Sequence, residues 1–562
     1  MVKTSVQHSS NPPYCYPIAI DTLCVRLKIK RNTCTLVLVH YQNLYDHTSY
    51  LKTSEMKLIL SDDLFDLYET TITMKSRHFK YYFDITCKNI IYHYTSDGFI
   101  TEPEPSNYFY YSSINKDEIK TLPKNCEGEI IYQILVDRFF DGNPLNNPKN
   151  TKNKSELPDR NTYYGGDFEG IVQKLDYLDA YGVKIIYLSP VFDSPTYHKY
   201  DINDYYHIED IYGGKEGLTT LVKKAHEKNM LIVLDTVFNH ASSNHPFFQD
   251  ILLNQEKSKY LDYFEIESFP VSVEKGNYNN FANLVPSMPK WNTVNPKVQN
   301  YLIDSSIYWM KKCHIDGFRL DVADEVSHAF WKNFYLRIKQ QNKDAIIIGE
   351  IWNQAQNWVN TNEIDTVTDY KFRQFLLDFS GFKKSSTHFF QKLNHHKMLY
   401  LTPTFNYLVH LVGSHDTIRL INYLQKPKFH FLTLSTMLLF DGIPLIYYGD
   451  EIALPGEVDP DNRRAMIWDR PITSEEEAFK KLCKFRSQSE VLKKGTLETI
   501  SSTSRVLKFI RSYQNHKILV VINFSGRPTL VVSHDYIHLL GEVLQKNGGF
   551  IVYPYSYALF RI

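Results

Sequence analysis

No formal net charge is left on this chain once its 63 basic and 63 acidic side chains cancel. That balance gives no support for nucleic acid or an anionic membrane as the main partner. No run of roughly 18 apolar residues exists, so no transmembrane helix is expected. The N-terminus, MVKTSVQHSSNPPYCYP, lacks the apolar stretch of a secretory signal. Cysteine is sparse and odd in number at seven, without CxxC or His-rich spacing, and reads as free thiols in a reducing compartment. Internal repeats and low-complexity tracts are missing as well. A soluble cytoplasmic protein that binds neither nucleic acid nor membrane is the expectation. What is plentiful is length, enough for several domains or for an α/β barrel with smaller companions. Aromatic side chains are plentiful too, with 41 Tyr and 34 Phe. Their faces suit sugar rings but equally fill cores, so they decide nothing alone.

Residues 1–125 read as short strands, among them TLCVRLKIK, TCTLVLVHY, KYYFDIT and NIIYHYT. Their alternation and β-branched or aromatic content predict an antiparallel sandwich. The polar stretch NKDEIKTLPKNCEGE reads as a linker. From about 129 the pattern becomes strand–helix alternation. Eight strand candidates follow: IIYQILVDRF, KIIYLSPVF, LIVLDTVF, GFRLDVA, IIIGEI, IDTVTDY, LVHLVGSHD and PLIYYGDE. Between them, Ile171, Leu175 and Leu178 share a helical face ahead of a capping Gly182. Asn295–Pro296 has the form of an N-cap followed by proline at the first helical position. Eight such units imply a closed (β/α)8 barrel over 126–490, with its site at the C-terminal ends of the strands. A polar insert near 238–295 predicts a small lobe over the barrel mouth, and the last helix falls near 474–489. The runs VLKFIRSY, KILVVINF, TLVVS and FIVYPYSYALFRI predict a β-sandwich over 491–562. The fold class is therefore multidomain, a central TIM barrel between N- and C-terminal antiparallel β-sandwiches.

The segment DGFRLDVADEV, 316–326, carries the most chemistry. Side chains two apart on a strand share a face, so Arg319 sits beside Asp321 and keeps it ionised and aimed. Glu350 ends AIIIGE, and Asp416 follows LVHLVGSH. Three acids just past strands four, five and seven suggest carboxylates converging at one end of a barrel. Retaining glycosidases need a carboxylate nucleophile and a carboxylic acid about 5 Å apart. Asp321 suits the charged role. Glu350, flanked by Ile348, Ile351 and Trp352, suits the protonated one, because apolar surroundings and nearby anions favour a neutral carboxyl. Asp416, next to His415, could hold substrate hydroxyls. For any one of these acids alone, a helix cap or a salt bridge is the rival reading.

At this point the chain resembles the α-amylase family of glycoside hydrolases over nearly its whole length. DTVFNH supplies Asp235, Asn239 and His240. GFRLDVADE supplies Asp321 as nucleophile with Arg319 as partner. GEIW supplies Glu350 as acid/base, and GSHDT supplies His415 and Asp416 as transition-state stabilisers. HKYDINDY implicates His198, Tyr200 and Asp201, with Tyr200 stacked on the sugar beside the cleaved bond. Within the family the chain resembles the cyclomaltodextrinase, neopullulanase and maltogenic amylase group. The signs are the N-terminal domain, MPKWN at 288–292, ADEVSHAFW and SHDT. In YYGDEIALPGEVDPDNRRAMIWD the resemblance gives Asp459 and Arg463 a grip on the non-reducing-side sugars. Phe281, Trp352 and Tyr370 match cleft aromatics, with ordinary packing as the alternative for each. Three departures bear on substrate choice: Trp291 for leucine, Asp324 for asparagine before the acceptor-side Glu325, and Asn353 for histidine.

The resemblance implies α-1,4 (with α-1,6 open) cleavage of cyclodextrins, pullulan and maltooligosaccharides through a covalent glycosyl-Asp intermediate, with transglycosylation open. It also implies a homodimer whose N-terminal domain, of starch-binding type, covers the partner's cleft. DRFFDGNPLNNP and YYGGDFEG resemble the group's structural calcium site, with Asp141, Asn143, Asn146, Asn147, Gly165 and Asp167 as candidates; turn formation is the competing reading. The chemistry itself needs no cofactor. Rival functions are an oligo-1,6-glucosidase or other exo-acting α-glucosidase, a starch-branching transferase, and a non-catalytic carbohydrate-binding homologue. The presence of all three acids argues against the last.

Overall fold

The structure, a computed structural model, describes residues 5–46, 50–500, 503–532, 535–546 and 548–562. The first four residues of the chain and Ser533 of TLVVS lie outside them. The chain forms two compact units. One runs to Leu122 and includes Gln356–Asn362 and Thr387–Phe405; the other holds Pro123–Ala355, Glu363–Ser386 and Asn406–Ile562.

The first unit contains two antiparallel sheets. One is built on Thr22–Lys30 and Phe65–Thr73, the other on Phe79–Cys87 between Leu36–Asn43 and Ile90–Thr95. Leu23, Val25, Leu27 and Ile29 alternate into a core with Val37, Val39, Phe83 and Ile85. On the other face Arg26 is fully buried. It pairs with Glu69 at 2.7 Å and donates to the Tyr400 carbonyl at 2.6 Å, so a strand charge fastens the Thr387–Phe405 segment to the sheet.

The second unit is organised by a closed parallel barrel. Its strands are Ile130–Ile134 (β1), Val183–Leu188 (β2), Leu231–Val237 (β3), Gly317–Asp321 (β4), Ile346–Ile351 (β5), Thr366–Asp369 (β6), Val409–Leu411 (β7) and Ile443–Tyr447 (β8). All eight expected runs are there. Their near-continuous burial is what a parallel sheet covered on both faces demands. Asn295 caps helix Pro296–Cys313, accepting from the Lys297 amide at 2.9 Å. The helix expected around Ile171 is interrupted: Phe168–Gln173 ends at Lys174, and Leu175–Ala180 starts anew. Its face survives the break, because Ile171, Leu175 and Leu178 are all buried.

After β3, helix Pro246–Asn254 and the hairpin Asn280–Phe281 with Val285–Pro289 form the inserted lobe. Trp291, the departure within MPKWN, is buried here. It stacks on Phe264 at 4.4 Å and donates from Nε1 to the Tyr205 hydroxyl at 3.1 Å. Tyr205 in turn donates to the Val237 carbonyl at 2.7 Å. The extra ring therefore ties the lobe to the end of β3.

The C-terminal part holds a five-stranded and a three-stranded antiparallel sheet around Val506, Val521, Phe550, Val552 and Phe560. FIVYPYSYALFRI divides into Gly549–Val552 and Ser556–Arg561, one strand in each sheet. Strands Ile537–Gly541 and Val543–Lys546, which the sequence reading did not mark, complete the sheets. Arginines join these sheets to the barrel through carbonyls. Arg505 donates to Phe379, Phe382 and Lys384 at the end of helix Tyr370–Ser380. Arg511 donates to Leu439, the last residue of helix Pro427–Leu439, and to Gly495. Helix C-termini leave carbonyls without intrahelical partners, and these guanidinium groups supply the donors. Among the described residues no helix is long and apolar enough to cross a membrane.

Candidate active site

Strand geometry puts Arg319 and Asp321 on one face of β4, with Nη1 of the arginine 2.7 Å from Asp321 Oδ1. Parallel register sets Asp235 of β3 beside Arg319. The same Nη1 reaches both Asp235 oxygens at 2.9 and 3.0 Å, while Nη2 lies 2.7 Å from Glu350 Oε1. One buried guanidinium thus serves three buried carboxylates. Beside the apolar neighbours and anions expected around Glu350, the structure adds this cation. Glu350 also accepts from the Val322 amide at 3.2 Å and from Trp352 Nε1 at 3.3 Å. Val322 adopts a left-handed φ of 43°, a strained state for a β-branched residue. That turn aims the Val322 N–H at Glu350.

Burial pushes the Asp321 carboxyl well above the usual carboxylate range; Arg319 opposes this, while Glu350 and Asp235 add to it. Asp235 is raised to about 6 by burial, against Arg319 and hydrogen bonds from Tyr187 and Tyr200. Burial lowers His240 to about 3, and it also lowers His198 and His415, the latter helped by Arg463 and Arg319. Burial thus favours the neutral form of all three histidines. Gln133 Nε2 faces His415 Nδ1 at 2.8 Å. With the amide so oriented, Nδ1 accepts and Nε2 carries the hydrogen. Nε2 lies 2.5 Å from the Tyr200 oxygen and 3.1 Å from Asp416 Oδ2. Arg463 Nη2 holds the other Asp416 oxygen at 3.1 Å.

These groups border a cleft of about 310 Å³. His198, Tyr200, His240 and Phe281 line it from the segments after β2 and β3. Asp321, Glu350 and Trp352 line it from β4 and β5, and His415, Asp416, Asp459 and Arg463 from the loops after β7 and β8. The remaining expected residues stand behind this lining. Arg319 lies beneath the acids. Asp201 is buried and accepts from Ser194 at 2.7 Å. Asn239 donates to Glu325 at 3.3 Å, and Glu325 pairs with Lys290 at 2.7 Å. Tyr370 is buried under Trp352, ring on ring at 4.0 Å. Tyr370 is not part of the cleft lining, whereas Phe281 and Trp352 are.

Some contributors were not singled out as site residues in the sequence. Met288 and Val322 line the cleft. Tyr197 donates to Asp459 at 2.9 Å and accepts from Arg463 at 3.0 Å. Behind it, buried Arg138 lies between the rings of Tyr164 and Tyr197, 4.7 and 4.5 Å from their centroids. Adjacency to His198 was the one available hint for Tyr197.

The six calcium candidates separate into two kinds. Asp167 is fully engaged, accepting from Gly170, Gly142 and Asn143 amides and from Asn146 Nδ2 at 2.6–3.2 Å. Asn143 accepts from the Leu145 amide at 3.2 Å. Both act as local caps. In contrast, Asp141 Oδ1, Asn146 Oδ1 and Asn147 Oδ1 are buried oxygens that accept no hydrogen bond. Gly165, at φ 79°, makes room for them: a Cβ there would meet Asn147 Oδ1 at 2.3 Å. Unpartnered hard oxygens fit a calcium ion. Among the described residues no group of three or more His, Cys, Asp or Glu could hold a metal, so amide oxygens would have to contribute.

Comparison with known proteins agrees with this geometry. The profile of the alpha amylase catalytic domain matches residues 133–494, and that of the alpha amylase N-terminal ig-like domain matches 1–115. A cyclomaltodextrinase of Thermoanaerobacter pseudethanolicus (strain ATCC 33223 / 39E) is 35% identical over 544 residues, covering 95% of each chain. Neopullulanase 2 of Thermoactinomyces vulgaris is 36% identical over 550 residues, covering 95% of this chain and 93% of that one. A solved cyclomaltodextrinase structure superposes with a TM-score of 0.93 at 31% identity, covering all of both chains.

Proposed function

We propose that this chain, which belongs to the α-amylase family of glycoside hydrolases, is a retaining hydrolase of α-1,4-glucosidic bonds in cyclodextrins and maltooligosaccharides. The observation that carries the reading is the single Arg319 guanidinium bridging Asp321 and Glu350 on the cleft floor. One cation held between two acids keeps both close to the bond that is cleaved. The productive form puts the proton on Glu350 and the charge on Asp321. Glu350 protonates the glycosidic oxygen as Asp321 attacks the anomeric carbon, giving a glycosyl ester and a free alcohol. Glu350, now ionised, takes a proton from water, whose oxygen displaces Asp321 and restores the start. Asp416 and neutral His415 hold sugar hydroxyls, and the electron-rich faces of Tyr200 and Trp352 support the oxocarbenium-like state. Asp459 and Arg463 grip the adjacent sugar.

Three finer readings accompany this. A calcium ion would be held by Asp141, Asn146 and Asn147 and would brace the loop after β1, outside the chemistry. A homodimer, with the N-terminal unit over the partner's cleft, rests on the family resemblance; light scattering that gives only monomer would remove it. Cytoplasmic residence is supported by a sparse, odd cysteine count of seven without CxxC spacing. The first test compares initial rates on β-cyclodextrin, pullulan, soluble starch and maltotriose, with chromatography of the products. Cyclodextrin fastest is the expected result. Starch or pullulan fastest would mean an open cleft, and glucose as sole first product would favour the exo-acting α-glucosidase.

A further inference from the structure

The loop Leu454–Asp469 has two working sides. Asp459 and Arg463 face the catalytic cleft, whereas Leu454, Pro455 and the run Arg464–Asp469 border a second pocket of about 420 Å³. Consecutive residues, Arg463 and Arg464, belong to different cavities. The far side of the second pocket is the 153–157 segment after β1. We propose that this pocket is a second saccharide site, which takes a neutral segment of two or three α-1,4-linked glucose units.

Four features point to that ligand. The volume lies within the roughly 300–1,000 Å³ range of small-molecule sites and exceeds that of the catalytic cleft itself. Apolar surface is already on offer: Leu157 is 63% exposed and Ile467 is 47% exposed, beside the half-buried rings of Phe140 and Trp468, over which Lys174 Nζ lies at 3.9 and 4.3 Å. Sugar C–H faces need such a floor. The rim is polar but balanced, with Lys154 and the adjacent Lys174 against Glu156 and Asp469, which favours hydroxyl groups over a phosphate or carboxylate. Arg464 is moreover neutralised by a two-point contact with Asp461 at 2.7 and 2.9 Å. The site is also preformed. Met466 donates to the Arg138 carbonyl at 2.8 Å, Trp468 Nε1 to the Phe139 carbonyl at 2.7 Å, and the Gly456 amide to Asn422 at 2.9 Å. Ordering this loop on binding therefore costs little.

The inference rests on the α-glucan reading of the cleft. Its consequence is a tether: a long glucan held at the second pocket raises the local concentration of its remainder at the cleft, while a ring or a trisaccharide gains nothing. The test uses the full-length protein. Isothermal titration of maltotriose into D321N should give two sites per chain. In D321N/L157E/I467E one should weaken by about tenfold or more and the other stay unchanged. In the otherwise wild-type L157E/I467E protein, KM for soluble starch should rise about threefold or more, with KM and kcat for β-cyclodextrin unaltered. Both positions are exposed; L157S alone should give the same changes in milder form. One site in D321N, or two that both survive L157E/I467E, overturns the proposal. Wild-type turnover of maltotriose, measured alongside, separates the two readings. Turnover with a single binding site refutes the second pocket alone, and no turnover with no binding refutes both.

Discussion

Two clusters of buried oxygens lie in the same unit and are handled in opposite ways. At the ends of β3, β4 and β5, three carboxylates share the cation of Arg319, supplied by the chain itself. After β1, Asp141, Asn146 and Asn147 each present a buried oxygen that accepts no hydrogen bond. Burying charge or polarity without compensation is costly. The first cluster offsets that cost internally and is ready for chemistry. The second is of the kind that an external cation completes. The difference teaches where to look for a ligand: at the unpartnered atoms rather than at the most acidic spot.

The largest expected effect breaks the first cluster at its reacting atom. D321N should lower kcat on maltotriose by about four orders of magnitude or more while retaining binding by titration; substantial turnover would sink the nucleophile assignment. Removing the shared cation comes next. R319M should cut kcat by about a hundredfold, and it should move the acid limb of kcat/KM to higher pH. The sign follows from the contacts: Arg319 is what holds Asp321 down, so without it burial and Glu350 raise the carboxyl further and protonate the nucleophile sooner as pH falls. An unmoved acid limb would uncouple Arg319 from Asp321; R319K should restore part of the shift. The smallest effect sharpens the second cluster. Millimolar calcium should raise Tm by about 2–4 °C, magnesium should not, and D141N should abolish the increment. Equal stabilisation of D141N would leave those oxygens to turn formation.

The barrel was legible because its strands are near-continuous apolar runs, two of which carry Asp321 and Glu350 at their C-terminal ends. Arg319 and Asp321 were readable as a pair since β periodicity is strict. What stayed hidden depends on contacts far apart in sequence or on backbone strain. No local pattern announces that Val322 turns left-handed to donate to Glu350, that Gln133 sets the hydrogen on His415, or that Tyr197 links Asp459 to Arg463. Trp291 looked like a change in specificity, and its ring proves to be lobe packing. Nor does any local pattern announce that the oxygens of Asp167 accept four hydrogen bonds. Strands Ile537–Gly541 and Val543–Lys546 escaped because they are short and half-exposed, without a clean alternation.

The arginines of the C-terminal sheets carry a lesson for engineering. Arg505 and Arg511 reach out of those sheets to carbonyls at the ends of barrel helices. A chain terminated after the last barrel helix would strip the donors from Phe379 and Leu439 and uncover the face they cross. The sheets are therefore not a detachable module. Truncation should be expected to cripple the barrel, and a domain swap would have to transplant both guanidinium groups at matching positions to preserve the scaffold.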